Sequence, residues 1–216
     1  EALGAARERA LERGLPVDRA KFRGRRSMFV DANWKLVWDN NCECYHCPTV
    51  HANWYRHARL DPKHYFDRRI GAFHYETELQ LYADRPSQWA YYAWPAVYFQ
   101  SADANYSNGT TTERKGMLVL RFVPLGVRST RVDADILHVD DLAPGEVERR
   151  LDQTFSVIEE DKGVCEMMQH AHDSGAAVPG TLLPGIDTED HTLLWQRLIH
   201  RSIGTPDVPL YARLAE

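Results

Sequence analysis

The feature that most constrains the fold of this chain is a block of strand-like sequence between Ala72 and His138. Two segments in it alternate apolar and polar residues with period two, as half-buried strands do, and two others are continuous apolar runs of strand length. These segments are 73–82, 89–100, 116–123 and 131–138. Because Asn108-Gly109 is a strong signal for a tight turn, the block predicts an antiparallel sheet with short connections.

Helical patterns flank this block on both sides. They cover residues 2–13 and 33–45 before it, and residues 146–172 and about 187–202 after it. Pro48 is predicted to end the second helix, because the residue before a proline avoids helical angles. Residues 51–70 have no clean period and predict an irregular segment or short helices. The order predicts an α+β domain in which helices pack over one antiparallel sheet.

The composition narrows the class of protein. Of the 216 residues, 44% are hydrophobic and 26% are charged, which is typical of a globular domain. No apolar run reaches the roughly 18 residues of a membrane span, so no membrane partner is expected. The net charge of −5 disfavours nucleic acid as a partner. The basic run Lys21–Arg26 is predicted to be a solvated edge.

The four cysteines indicate the redox environment. Cys42, Cys44 and Cys47 lie within six residues, a spacing that disfavours a mutual disulfide framework, and Cys165 stands alone. Free thiols that act as small apolar fillers are therefore expected. The N-terminus also lacks the apolar core of a secretory signal, so a cytoplasmic location is expected.

Two histidines with a proline between them are the most informative residues for chemistry. His46 and His51 are five positions apart. On an unbroken helix their side chains would point about 140° apart. A break at Pro48 would let both imidazoles point at one site. Two neutral imidazoles and one carboxylate on one face of a ferrous ion leave positions open for dioxygen and substrate.

The carboxylate required by this arrangement is sought in the run Glu159-Glu160-Asp161, midway along the longest helical pattern. Each feature alone has a more ordinary explanation, because most histidines and acid clusters lie on a protein's surface or in a satisfied core. A structural zinc site built on Cys44 and Cys47 would need a second, distant pair of ligands. Only Cys165 remains for that role.

The run from Asn33 to His51 resembles a known signature. It reads N-W-K-x-x-x-D-N-x-x-E-x-Y-H-C-P-T-x-H and resembles the iron-binding motif of Rieske non-heme iron oxygenase α subunits, the ring-hydroxylating oxygenases. The resemblance implies that His46 and His51 ligate Fe(II). It also implies that Glu43 bridges the iron to the Rieske cluster of a neighbouring subunit, and that Asn40 lies near the iron.

A second stretch resembles the helix that supplies the family's third ligand. It reads Glu160-Asp161-x-x-x-Cys165-Glu166-x-x-Gln169. Asp161 is the predicted ligand on this basis, and Glu160 is the alternative. The family's catalytic domain has a helix-grip (START-like) fold, in agreement with the α+β pattern.

The sequence departs from the family in two places. Asn41-Cys42 stands where the family usually has Phe-Leu. A Rieske [2Fe-2S] cluster needs a Cys-x-His pair and a Cys-x-x-His pair. Cys44-Tyr45-His46 matches the first form, but no second pair follows. Residues 1–216 are therefore interpreted as a single mononuclear-iron catalytic domain, with the Rieske domain expected upstream of Glu1.

The resemblance implies an enzyme that uses dioxygen at a mononuclear Fe(II) to hydroxylate or oxidatively demethylate a small organic substrate. Electrons would come from a Rieske cluster, supplied by a reductase or ferredoxin, within a homotrimer. The aromatic run from Trp89 to Phe99 suits an aromatic or quaternary ammonium substrate through stacking or cation–π contact. Most of that run is nevertheless expected to be sheet core.

Two functions of other classes are kept open. A non-catalytic ligand-binding domain of the same fold needs no triad, so the coincidence of His46, His51 and Asp161 counts against it. A zinc-dependent hydrolase would use a helical His-Glu-x-x-His motif, which the chain lacks. The metal that the chain binds distinguishes the three hypotheses.

Overall fold

The computed structural model describes residues 2–56, 65–80, 86–107, 110–178, 180–182 and 189–202. Its elements, in chain order, are α1 (Ala2–Glu12), β1 (Lys21–Val30), α2 (Trp34–Cys42), α3 (Cys47–Val50), α4 (Ala52–Tyr55), β2 (Tyr65–Ile70), β3 (His74–Leu79), β4 (Gln88–Ala93), β5 (Val97–Ser107), β6 (Thr110–Gly126), β7 (Ser129–His138), α5 (Glu146–Asp173) and α6 (Glu189–Ser202). Within the described residues, no helix combines the length and apolarity needed to cross a membrane.

The strands form one antiparallel sheet in the order β1-β7-β6-β5-β4-β3-β2. Strands β2 to β7 follow one another as a meander, and β1 joins the far edge by pairing with β7. Helices α2 and α5 pack over one side of this sheet, and α1 contacts β4. The predicted α+β class, with helices packed over an antiparallel sheet, is confirmed.

Alternation along the strands gives the sheet two different faces. The inner core, beneath α2, α5 and α6, includes Trp38, Tyr98, Phe122, Phe155 and Trp195. On the opposite face, α1 covers a smaller apolar cluster that includes Trp89 and Tyr91. The helices and the inner face therefore enclose the space in which a site can form.

Two strands lie where the sequence predicted none. The basic run expected to be a solvated edge is part of β1, at the edge of the sheet. Arg25 pairs across to Asp135 of β7 at 2.5 Å, and Arg26 pairs with Asp152 of α5 at 2.7 Å. Strand β2 lies in the segment expected to be irregular. Its pairing with β3 shifts register between Phe66 and Arg69, and Asp67 has a positive φ of 50°. This irregularity breaks the period-two pattern that would have marked the strand.

The remaining elements agree with the sequence pattern. Helices α1, α2, α5 and α6 occupy the predicted stretches, and α4 is one of the short helices expected after residue 51. The apolar run 89–100 contains two strands, because a turn at residues 94–96 separates β4 from β5. The turn predicted at Asn108-Gly109 lies outside the described residues.

Candidate metal centre

Helix α2 positions the first ligand candidate. Asn33 caps the helix, and its side-chain oxygen accepts a hydrogen bond from the Lys35 amide at 3.0 Å. Trp38 anchors the helix in the core and is completely buried. The helix ends at Cys42, and the backbone of Glu43 is extended. The chain therefore turns immediately before His46.

Pro48 lies in the first turn of a helix. Helix α3 begins directly after His46, and a proline in the first turn costs no hydrogen bond because the first amides have no helical partner. The prediction that Pro48 ends the preceding helix is wrong, because α2 has already ended at Cys42. His46 and His51 stand at the two ends of α3, and their ring centroids are 5.2 Å apart.

Asp161 of α5 faces both histidines. Its Oδ1 lies 3.2 Å from Nε2 of His46 and 2.9 Å from Nε2 of His51. Asn40 of α2 hydrogen-bonds the same carboxylate. Three ligand atoms, from the two ends of α3 and the middle of α5, thus converge on one point.

Two further carboxylates contact the Nδ1 atoms of the imidazole rings, on the side of each ring that faces away from Asp161. Nδ1 of His46 lies 2.5 Å from Oε1 of Glu43, and Nδ1 of His51 lies 2.7 Å from Oε2 of Glu160. When each Nδ1 donates to its acid, each Nε2 presents its lone pair toward Asp161. Adjacent residues on a helix point about 100° apart. Glu160 and Asp161 therefore contact opposite nitrogens of His51 and do not share one point.

The electrostatics of this cluster favour a cation between the rings. Burial lowers the pKa of His46, but the neighbouring carboxylates of Asp161 and Glu43 outweigh it and raise that pKa to about 9. The pKa of His51 is also raised, because the neighbouring carboxylates of Asp161 and Glu160 outweigh burial. Burial raises the pKa of Asp161, yet the facing rings of His46 and His51, together with Asn40, lower it overall.

The ligand atoms themselves fit a divalent metal. Oδ1 of Asp161 is buried and has no hydrogen-bond partner of good geometry among the described residues. Two imidazole nitrogens and one carboxylate oxygen on one face make up the 2-His-1-carboxylate set that holds non-heme Fe(II). His51 is only 2% exposed, so water has little access from its side.

Cys44 and Cys47 form a disulfide across the turn that holds His46, and their Cα atoms are 5.0 Å apart. The expectation of free thiols is therefore wrong for this pair, because the turn between α2 and α3 folds two close neighbours back on each other. Cys42 and Cys165 are free and buried among apolar residues, as expected of fillers. Burial raises the pKa of both thiols.

A cavity of about 800 Å³ adjoins the histidines, between α5 and the sheet. Its aromatic wall consists of Trp54, Tyr75, Tyr92, Tyr98 and His191. The aromatic run after residue 88 divides by strand alternation. Tyr92 and Tyr98 line the cavity, whereas Trp89 and Tyr91 pack beneath α1.

His191 of α6 is a cavity residue that the sequence analysis did not select. Its ring stacks on Tyr75 at a centroid distance of 4.5 Å, and neither ring nitrogen has a hydrogen-bond partner among the described residues. Burial lowers its pKa to about 3, so the ring is neutral at physiological pH. The apolar periodicity of α6 was the only available signal, and it marks the buried face without distinguishing this residue.

One family's sequence profile matches most of the chain. The family is described as the ring hydroxylating alpha subunit (catalytic domain), and the match covers residues 17–201. This range includes both ligand motifs and all the strands of the sheet.

Solved structures share the fold. The quaternary ammonium Rieske monooxygenase CntA in complex with an inhibitor has a TM-score of 0.74 at 19% identity, covering 93% of this chain and 54% of that one. The same enzyme with its substrate L-carnitine gives 0.70 at 21%, covering 90% and 52%. Dicamba monooxygenase bound to dicamba gives 0.60 at 16%, covering 83% and 58%. The chain thus spans about half the length of the proteins it resembles.

Proposed function

Because the chain belongs to the family of ring-hydroxylating α subunits, as a catalytic domain, we propose that it is an oxygenase component that uses dioxygen at a mononuclear Fe(II) to hydroxylate or oxidatively demethylate a small organic substrate. The observation that carries the proposal is the convergence of three ligand atoms, Nε2 of His46, Nε2 of His51 and Oδ1 of Asp161. In this proposal they hold the iron on one face.

An iron held by His46, His51 and Asp161 would supply the site for dioxygen reduction, since three protein ligands would leave positions open for dioxygen and substrate. Glu43 and Glu160 hold the two imidazoles so that both Nε2 atoms stay aimed inward. Asn40 steadies the Asp161 carboxylate from α2. His51 is itself only 2% exposed, so its ring is held in place by the packing around it.

Glu43 is the proposed link to the electron donor. It contacts Nδ1 of His46 at 2.5 Å and also accepts a hydrogen bond from the Tyr45 amide at 2.5 Å. Its side chain remains 24% exposed, so one side is open to a partner. We propose that electrons reach His46 through Glu43 from a Rieske [2Fe-2S] cluster of a neighbouring subunit in a homotrimer, and that a reductase or ferredoxin supplies that cluster.

The cavity supports a substrate with an aromatic ring or a quaternary ammonium group. Tyr75, Tyr92 and Tyr98 line one wall, and tyrosine faces attract both rings and organic cations. The CntA structure contains the substrate L-carnitine, and the second enzyme contains dicamba. The proposal for this chain includes both substrate classes, because the tyrosine wall serves either one.

Anaerobic Fe(II) titration tests the proposed centre. We expect the parent chain to bind one iron, and Asp161→Ala to bind none because it lacks the carboxylate that faces both rings. Glu159→Ala is the matched control, since Glu159 is an exposed acid on the same helix. Failure of the folded parent to bind iron, or full iron binding by Asp161→Ala, would contradict the proposal.

A further inference from the structure

The Cys44–Cys47 disulfide encloses a proposed iron ligand within its own loop. Cys44 precedes His46 by two residues and Cys47 follows it directly, so the bond closes over the turn that carries the imidazole. Both cysteines line the cavity, and Cys47 is only 3% exposed. The disulfide therefore lies directly beside the His46 imidazole.

The sulfur of Cys47 lies within reach of the proposed metal. Its Sγ is 4.0 Å from Nε2 of His46, the nitrogen that faces Asp161. Sγ and the ligand atoms of His46 and His51 all lie within 4.8 Å of one another. A tetrahedral zinc site, with its usual Zn–S and Zn–N distances, separates S from N by about 3.6 Å. A shift of about 0.4 Å toward Nε2 of His46, and of up to about 1.2 Å toward the His51 nitrogen, would bring Sγ into a shared coordination sphere.

The chemistry of that sulfur depends on the disulfide. In the disulfide it carries no negative charge and binds metals weakly, which leaves the two histidines and Asp161 as an open three-ligand face suited to Fe(II). A freed thiolate is a soft ligand, and two histidines, one carboxylate and one thiolate form a closed four-ligand set of the kind that zinc prefers.

We propose that the Cys44–Cys47 pair is a redox switch for metal selection, in which the disulfide keeps the site open for Fe(II) and its reduction adds Cys47 as a fourth ligand that favours Zn²⁺. This inference rests on the proposed metal centre. In the reducing direction, a dithiol transfers two electrons and two protons to the disulfide and becomes a cyclic disulfide. The Cys47 proton passes to solvent when the sulfur binds the metal.

The other two cysteines provide an internal contrast. Cys42 and Cys165 are free, and both are packed within the hydrophobic core that surrounds Trp38. Neither belongs to the cluster of potential ligands formed by His46, Cys47 and His51 in the described residues. Cys42→Ala therefore removes a nearby thiol without touching the switch.

Cobalt(II) is a suitable probe because thiolate ligation gives a sulfur-to-cobalt charge-transfer band in the near ultraviolet. The full chain is prepared either with the disulfide intact or after reduction by a dithiol and desalting. Each form is then loaded with Co²⁺ under anaerobic conditions. We expect the band in the reduced parent and in reduced Cys42→Ala, and not in their oxidised forms. Cys44→Ser, whose Cys47 cannot form the disulfide, should show the band in both states. Cys47→Ser should bind cobalt without it.

Zinc affinity gives a second readout. Reduction should tighten Zn²⁺ binding roughly tenfold or more in the parent, through the added thiolate, and leave Cys47→Ser unchanged. Cobalt binding without the band in both the reduced parent and Cys44→Ser would overturn the switch and leave the three-ligand centre standing. No cobalt binding by the folded parent in either state would overturn the proposed metal centre together with the switch.

Discussion

Carboxylates cluster on both sides of the sheet, and their partners differ. On the side covered by α1, a cluster that we term the rear cluster contains Glu76 and Glu78 of β3 with Arg9 and Arg114. On the cavity side, the proposed metal centre contains Glu43, Glu160 and Asp161 with two histidines. Glu76 and Glu78 are almost fully buried, and so is the Oδ1 atom of Asp161, so both groups place negative charge where an unpaired charge is costly.

The rear cluster meets its carboxylates with protein cations and donors, although Oε2 of Glu78 has no hydrogen bond of good geometry within the described residues and lies 3.8 Å from Nη1 of Arg13. Glu76 accepts hydrogen bonds from Nε of Arg9 at 2.8 Å and from Nε1 of Trp89 at 2.9 Å. Glu78 accepts from Ser87 at 2.6 Å and also pairs with Arg114. Arginine keeps its charge at all ordinary pH values and offers several donors, so each carboxylate meets a permanent protein cation.

The metal centre uses its partners differently. The Nδ1 atom of each histidine is engaged by an outer acid, and both Nε2 atoms face Asp161, whose Oδ1 has no hydrogen-bond partner of good geometry in the described part of the chain. The positive charge that this centre favours must come from protons or from a bound metal. Burial alone therefore does not identify a functional carboxylate. The residue that pairs with it, arginine in the rear cluster and histidine in the proposed metal centre, does so.

The largest expected change in stability comes from removing Glu76 from the rear cluster. Glu76→Ala leaves Arg9 and the Trp89 ring nitrogen without their buried acceptor. We expect the free energy of unfolding to fall by about 3 to 5 kcal/mol, as when one partner of a buried ion pair is removed. Urea denaturation measures this loss of stability. Anaerobic Fe(II) titration should still give one iron per chain.

Glu12→Ala is the control for that change, because Glu12 also pairs with Arg9 but is 61% exposed. Its effect on stability should be far smaller, since exposed ion pairs contribute little. Loss of iron binding in a folded Glu76→Ala protein would contradict the prediction that the rear cluster affects stability but not the metal site.

The next effect concerns acid stability on the cavity side. His191 has a pKa lowered by burial to about 3, against an ordinary value of 6.5. Between these values the unfolded chain binds more protons than the folded one, so stability should fall as pH drops through this window, by up to about 1.4 kcal/mol per pH unit. His191→Phe keeps a ring against Tyr75 and should flatten this dependence.

Urea denaturation from pH 7 to pH 4 measures the effect, with His172→Gln as a control for an exposed histidine on α5. The control should retain the acid sensitivity of the parent. An equally steep fall in His191→Phe would mean that another group causes the loss of stability.

The smallest effect tests the outer acid of His51. Glu160→Ala removes the acceptor at 2.7 Å from Nδ1, so the ring is no longer fixed in orientation. We expect Fe(II) affinity to fall about tenfold to a hundredfold, as is typical for partners of ligand histidines, with stoichiometry still one. Glu160→Gln, which keeps an acceptor oxygen, should lose less. Complete loss of iron in Glu160→Ala would instead favour Glu160 as the ligand.

Much of the fold could be predicted because its signals are local. Four helices and most strands follow from apolar spacing, which depends on residues only a few positions apart. Strands β1 and β2 escaped prediction for the opposite reason. Arg25 of β1 is matched by Asp135 of β7, 110 residues later in the chain, and the register shift in β2 hides its alternation.

Residue identity and short-range spacing were enough to predict the family signature, the candidates His46, His51 and Asp161, and the α+β class. The packing of α5 against α3 was needed to show that Glu160 contacts the outer nitrogen of His51 while Asp161 faces the inner one. The tertiary structure alone joined Cys44 to Cys47, and it divided the aromatic run between the cavity and the core beneath α1. The reason is physical: a side chain's direction is set by which distant element packs against its backbone, and no short-range pattern contains that information.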